Sequence, residues 1–338
     1  MSIRVIVLCL IVTGLSIYAW KDWFKSLCGL ICMMAFIQHE DMPSNVFGIQ
    51  GLNAWNILFL MILLSWMNSR GRQHLKWDMP RNISMLLLMY FGVIVTGVFR
   101  AILDRNHIEA YSIGSLISEE LINTIKWVLP GILLFDGCRT RRQMVMALSS
   151  LLLVYVMISV QVIKRVPLKS AIQTGGSGLQ KMRLRQCRRI GYSAPDLSAM
   201  LAGASWGMLA SLPLARSKRF WTVILAAAGV IVLGQALTGG RAGYAAWGAT
   251  GLTLCLLKWR KYLILAPVVI ILLPILFPGA AERMSFGFGK TDVTGQAMID
   301  DYEVTSGRSV IWPFVLEKIA ESPWVGYGRL AMNRTGLT

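Results

Sequence analysis

The chain has 338 residues, of which 55% are hydrophobic and only 15% charged, and its mean hydropathy is +0.56. So little charge cannot cover so much apolar surface in water, which excludes a soluble globular enzyme and a disordered chain and leaves a polytopic membrane protein. The formal charge of +17 would suggest nucleic acid in a soluble chain, but here the cations sit between apolar runs, so they read as topology signals and no nucleic-acid partner is expected.

A membrane helix needs about 20 mostly apolar residues. The pattern predicts ten such spans, over 3–20, 24–37, 51–67, 82–99, 119–135, 144–163, 197–212, 220–237, 244–257 and 262–277. The first ends at Tyr18-Ala19-Trp20 without a small-x-small site, which favours a retained helix over a cleaved signal. The expected architecture is all-α. Transmembrane helices fill 1–163 and 197–277, separated by a basic loop over 164–196, and an outer segment follows over 278–338.

Alternate loops differ in charge. One set (18–25, 68–81, 136–143, 213–219 and 258–261) holds fifteen Lys and Arg against three Asp, which marks it as cytoplasmic. The other set faces out and includes the two long segments. The 164–196 loop breaks the charge rule, with eight cations against Asp196 alone. Two readings stay open. The loop is a cationic vestibule for an anionic substrate, or it is cytoplasmic and the span count is off by one. Within it Gly175-Gly176-Ser177-Gly178 reads as a flexible elbow. In the last segment, Ile311, Val315 and Ile319 recur at helical spacing over 308–321, which predicts an amphipathic helix lying on the membrane surface. Pro313 must fall in its first turn or bend it.

Four constellations stand out. Arg188-Arg189-Ile190-Gly191-Tyr192-Ser193-Ala194-Pro195-Asp196 leads into the seventh span, with Asp196 a candidate helix cap. Thr238-Gly239-Gly240-Arg241-Ala242-Gly243 is a tight turn entering the ninth span. There bare backbone N–H groups and Arg241 suit a phosphate, unless Arg241 merely snorkels to lipid headgroups. Ser306-Gly307-Arg308 repeats that logic at the start of the amphipathic helix. Glu321-Ser322-Pro323-Trp324-Val325-Gly326-Tyr327-Gly328 makes a compact aromatic turn. His39, His74 and His107 share no metal-ligand spacing, the six cysteines form no CxxC, and no phosphate-loop or dinucleotide fingerprint occurs, so neither metal nor cofactor is expected.

In this order, over about 188–328, the motifs resemble the O-antigen ligase and polysaccharide polymerase superfamily of bacterial membrane glycosyltransferases. Gly191 to Asp196 matches its Gly-x-x-x-Pro-Asn-like turn. Thr238 to Gly243 matches its Ser/Thr-x-Arg-Gly-like turn. Arg308, Trp312 and Pro323 to Gly328 match its outer segment, and Glu282-Arg283-Met284 is similar to the stretch before it. The resemblance implies a multi-pass protein of the bacterial inner membrane whose long loops are periplasmic. It would take a glycan from an undecaprenyl-diphosphate carrier and pass it to a glycan, lipid or protein acceptor, without a metal. Substrate-binding roles carry over to Arg241 and Arg308, to Arg188 and Arg189 as basic residues before the turn, and to Asp196 within it. The family's catalytic histidine has no counterpart. The chain stops ten residues after Gly328, where the family continues with a His-bearing loop, so a C-terminal truncation is expected. The competing functions are a transporter or flippase of an anionic lipid-linked saccharide and a non-enzymatic membrane scaffold.

Overall fold

The structure is a computed structural model that describes residues 3–37, 53–74, 76–103, 113–166, 176–264, 308–328 and 331–336, with three isolated positions between 268 and 275. The side chains of 3, 4, 115, 119, 176–182, 308, 309, 333 and 334 lie outside the description.

Among the described residues the chain is all-helical. In chain order the helices are α1 (Ile3–Ala19), α2 (Trp23–Ile37), α3 (Ala54–Gln73), α4 (Arg81–Leu103), α5 (Ile113–Leu116), α6 (Asn123–Gly137), α7 (Arg141–Arg165), α8 (Gly176–Ile190), α9 (Ala194–Ala210), α10 (Lys218–Thr238), α11 (Arg241–Leu257), α12 (Arg308–Glu321) and α13 (Ala331–Arg334). A π-helical stretch, Ile117–Ile122, joins α5 to α6 without a break. Among the described residues four helices are long and apolar enough to cross a membrane: α4, α7, α10, and α9 with the short 3₁₀ turn after it, together Ala194–Leu214. α1 and α2 are apolar but shorter. The tenth predicted span falls mostly outside the described residues. The 164–196 segment is not simply a loop: Gly176 to Gly178 open α8, and the cations that follow lie on a helix.

Two compact units are present. The first holds Met1–Ser69 and Arg139–Phe286, the second Arg70–Cys138 and Gly287–Thr338. In the first, α9 packs on α10 and α11, α10 on α7, α7 on α2 and α2 on α1. Leu58, Ile62, Ile158, Leu197, Leu201 and Ile231 are fully buried there. Polar side chains inside this apolar packing spend their hydrogen bonds on neighbouring backbones. Ser26 donates to Leu15 O, Ser65 to Ala19 O and Gln161 to Ala35 O. Burying these groups without acceptors would cost about 1–3 kcal/mol each.

Small residues let the helices approach closely. A methyl group on Gly243 would fall on Ser198 Oγ, 2.5 Å from Ser198 Cβ and 2.6 Å from its carbonyl carbon. Gly243→Ala therefore forces α9 and α11 apart and lowers stability by about 1–3 kcal/mol. Thermal unfolding of the purified protein reads this directly. Ser198→Gly recovers only part of the loss, because the backbone carbon stays in the way.

The second unit is built on α4, which is exposed along most of its length. At one end Arg70 pairs with the buried Asp136 at 2.5 Å and stacks over Trp77, 5.7 Å from its ring. Glu120, in the π-helical stretch, is also buried. α12 runs through Pro313, its sixth residue, rather than placing that proline in the first turn. Ile311 and Val315 are half-buried as the predicted stripe requires, whereas Ile319 is exposed.

Candidate functional site

The turn between α10 and α11 is held by glycine backbone and by side-chain hydrogen bonds. α10 ends at Gly239 in the left-handed conformation, φ 62°, which a side chain would strain. Gly240 then reverses to extended backbone and caps α11 with no side chain to accept its first N–H groups. Hydrogen bonds hold the turn from behind. Thr238 Oγ1 donates to Gln235 O, Gln235 Nε2 to Gly243 O, the Tyr244 hydroxyl to Ala236 O and Ser198 Oγ to Gly240 O. Leu237 to Gly240 are buried, and Arg241, the first residue of α11, is half-buried.

A second guanidinium reaches this turn from α8. Arg183 is 5% exposed, its Nη1 donates to Thr238 O at 3.0 Å, and its stem lies across Gly239, where a β-carbon would come within 2.9 Å of Arg183 Cδ. Its Nε has no hydrogen-bond partner among the described residues. Burial is the main cause that lowers its pKa. Arg241 acts in the same direction, against Tyr244 and Cys187. A guanidinium still stays protonated in a protein. The turn thus gathers two positive charges that repel each other, an unpartnered buried donor and an uncapped helix N-terminus. Each of these is relieved by one anion.

α8 explains why Arg183 points inward. Arg183, Cys187 and Ile190 are buried at positions i, i+4 and i+7, while Leu184, Arg185, Arg188 and Arg189 are exposed. The helix packs on α7, α9 and α10 along that buried face. Burial pushes the Cys187 thiol up to about 11, against the pull of Arg183. In the Gly191-Tyr192 turn that follows, Gly191 takes φ 95° and the Tyr192 hydroxyl donates to Met34 O. Burial raises that phenol to about 12. The Arg183 bond to Thr238 O brings α8 and the 238–240 turn to the same end of the first unit.

The remaining predicted residues fall elsewhere. Arg188 and Arg189 lie on the exposed face of α8, away from the side that holds Arg183. Asp196 is not the cap of α9. Ser193 is, accepting from Asp196 N, because Pro195 takes a first-turn position where no N–H is needed. Asp196 stands in the first turn, accepts the Ser193 hydroxyl and offsets the helix dipole. Ser193→Ala should cost about 1 kcal/mol, read from the unfolding midpoint. Arg308 opens α12 in the second unit, and its side chain lies outside the description. His39, His107 and the Glu282-Arg283-Met284 stretch lie outside the described residues, and His74 is exposed beyond α3. Among the described residues no three His, Cys, Asp or Glu side chains converge as a metal site would need.

Sequence reasoning therefore missed Arg183 as an individual. The signal was present in its spacing to Cys187 and Ile190 along a helix. Comparison of the chain with family models, with curated proteins and with solved structures finds no match.

Proposed function

We propose that this chain is a membrane glycosyltransferase of the O-antigen ligase and polysaccharide polymerase type. It would move a glycan from an undecaprenyl-diphosphate carrier to a glycan, lipid or protein acceptor at the outer face of the bacterial inner membrane. One observation carries the reading: Arg183 and Arg241 converge on an uncapped helix start beside an apolar helical bundle. A diphosphate on a lipid tail supplies both the anion and the apolar body that such a place accepts.

In this scheme the acceptor hydroxyl attacks the anomeric carbon and forms the new glycosidic bond. The bond from that carbon to the diphosphate oxygen breaks, undecaprenyl diphosphate departs, and the acceptor's proton passes to a base that the described residues do not identify. The guanidinium groups offset the charge that grows on the leaving diphosphate, a fixed electrostatic contribution that needs no reorganisation during the reaction. Arg188 and Arg189, exposed on α8, draw the anion toward the turn.

The test is transfer in detergent with purified protein, lipid-linked glycan and acceptor. With no membrane to cross, a longer or transferred glycan supports the transferase. Binding of the lipid-linked glycan without any transfer points to the flippase instead.

A further inference from the structure

We infer that α12 and the aromatic turn after it lie in the bilayer interface, with Trp324 and the apolar flanks of α12 taken up at the boundary between phospholipid headgroups and acyl chains.

Depth is set by α4. This helix has 23 residues, about 34 Å at 1.5 Å per residue, against a hydrocarbon core of about 30 Å. Gly97 and Arg100 therefore stand in its last turns inside or at the edge of that core. The turn after α12 is seated there. Gly328 Cα lies 3.5 Å from where a Gly97 β-carbon would be, and the Arg100 guanidinium lies 5.8 Å from the centre of the Tyr327 ring. Gly326 and Gly328 adopt φ of 62° and 73°, which lets the backbone come this close. The Tyr327 hydroxyl donates to Glu321, which also pairs with Lys318, so the turn is bound to the end of α12. A helix joined to α4 at that level cannot stand clear of the membrane surface.

The side chains fit that level. Val310, Trp312, Phe314, Leu316 and Ile319 are each more than half exposed, on both flanks of the half-buried strip Ile311, Val315 and Lys318. Trp324 is 95% exposed. A water-facing surface would not carry this row of large apolar groups. An interfacial helix buries such groups by about 5–10 Å, and tryptophan prefers that zone. Continuity with the exposed apolar length of α4 makes phospholipid the occupant, in preference to a protein. Nothing in this seating depends on the transfer chemistry proposed above.

The experiment uses the full chain in vesicles of phosphatidylcholine and phosphatidylglycerol. The photo-reactive residue p-benzoylphenylalanine is placed singly by Trp312→p-benzoylphenylalanine, Trp324→p-benzoylphenylalanine or Glu317→p-benzoylphenylalanine. Trp324 and Glu317 are exposed, so no core packing is lost, and Trp312 gives an independent reading. Irradiation should yield phospholipid adducts at Trp312 and Trp324 several-fold more often than at Glu317. Cross-linked pairs of chains at these positions, or lipid adducts no more frequent than at Glu317, would overturn the assignment.

Discussion

Arg241→Ala and Arg183→Met each reduce glycan transfer by about 100- to 1000-fold, the loss expected when one fixed donor to a developing oxyanion is removed. The two variants should nevertheless fold. Arg241 is half-buried at the first position of α11, so its truncation opens no fully enclosed cavity. Arg183→Met fills the space of the buried stem and forfeits the single bond to Thr238 O, about 1 kcal/mol, while it also removes a desolvated charge. Arg183→Lys should fail as well, since one ammonium cannot hold the Thr238 carbonyl and present a second planar donor to an anion. The rate of lipid-linked glycan consumption, set beside the unfolding midpoint of each variant, separates lost chemistry from lost structure.

The largest effect on stability is expected in the second unit. Asp136→Ala should destabilise it by about 3–5 kcal/mol, because Arg70, mostly buried, would lose the carboxylate it pairs with. The double replacement Arg70→Met with Asp136→Leu should recover most of that loss, since an apolar pair of similar volume needs no desolvation. Thermal unfolding followed by light scattering in detergent checks both statements. If Asp136→Ala melts with the native protein, Asp136 holds no buried charge in place.

Much of the helical framework was legible in the sequence because hydrophobic runs of membrane length have few alternatives. α4, α7, α9 and α10 arise where the apolar runs predict them. The turn at Gly239 and Gly240 was legible for a similar reason, since glycine takes the left-handed conformation of position 239 without strain. Arg183 was harder to see. Within a dense run of cations, composition cannot tell the one that turns inward from those that stay in water. The glycines before it read as an elbow, although they open α8 and so fix the helical phase that puts Arg183 on the Cys187 face. Asp196 illustrates the opposite difficulty. It was read as a cap because an acid precedes an apolar run, yet Pro195 shifts the cap back to Ser193. The fifth predicted span runs over 119–135, which puts Glu120 at its start. The helix in fact begins at Ile113 and passes through a π-helical stretch that buries this side chain. The Arg70–Asp136 pair joins distant segments and has no local pattern to announce it.

One binding measurement bears on the central claim most directly: the unfolding midpoint of the detergent-solubilised full chain, titrated with undecaprenyl diphosphate and, in parallel, with undecaprenol. If Arg183 and Arg241 grip the diphosphate, the diphosphate stabilises the native protein by about 2.7 kcal/mol at a hundredfold excess over its dissociation constant. Undecaprenol then gives much less, and Arg183→Met and Arg241→Ala abolish the difference. Equal stabilisation by the two lipids, or an undiminished diphosphate effect in both variants, would contradict it.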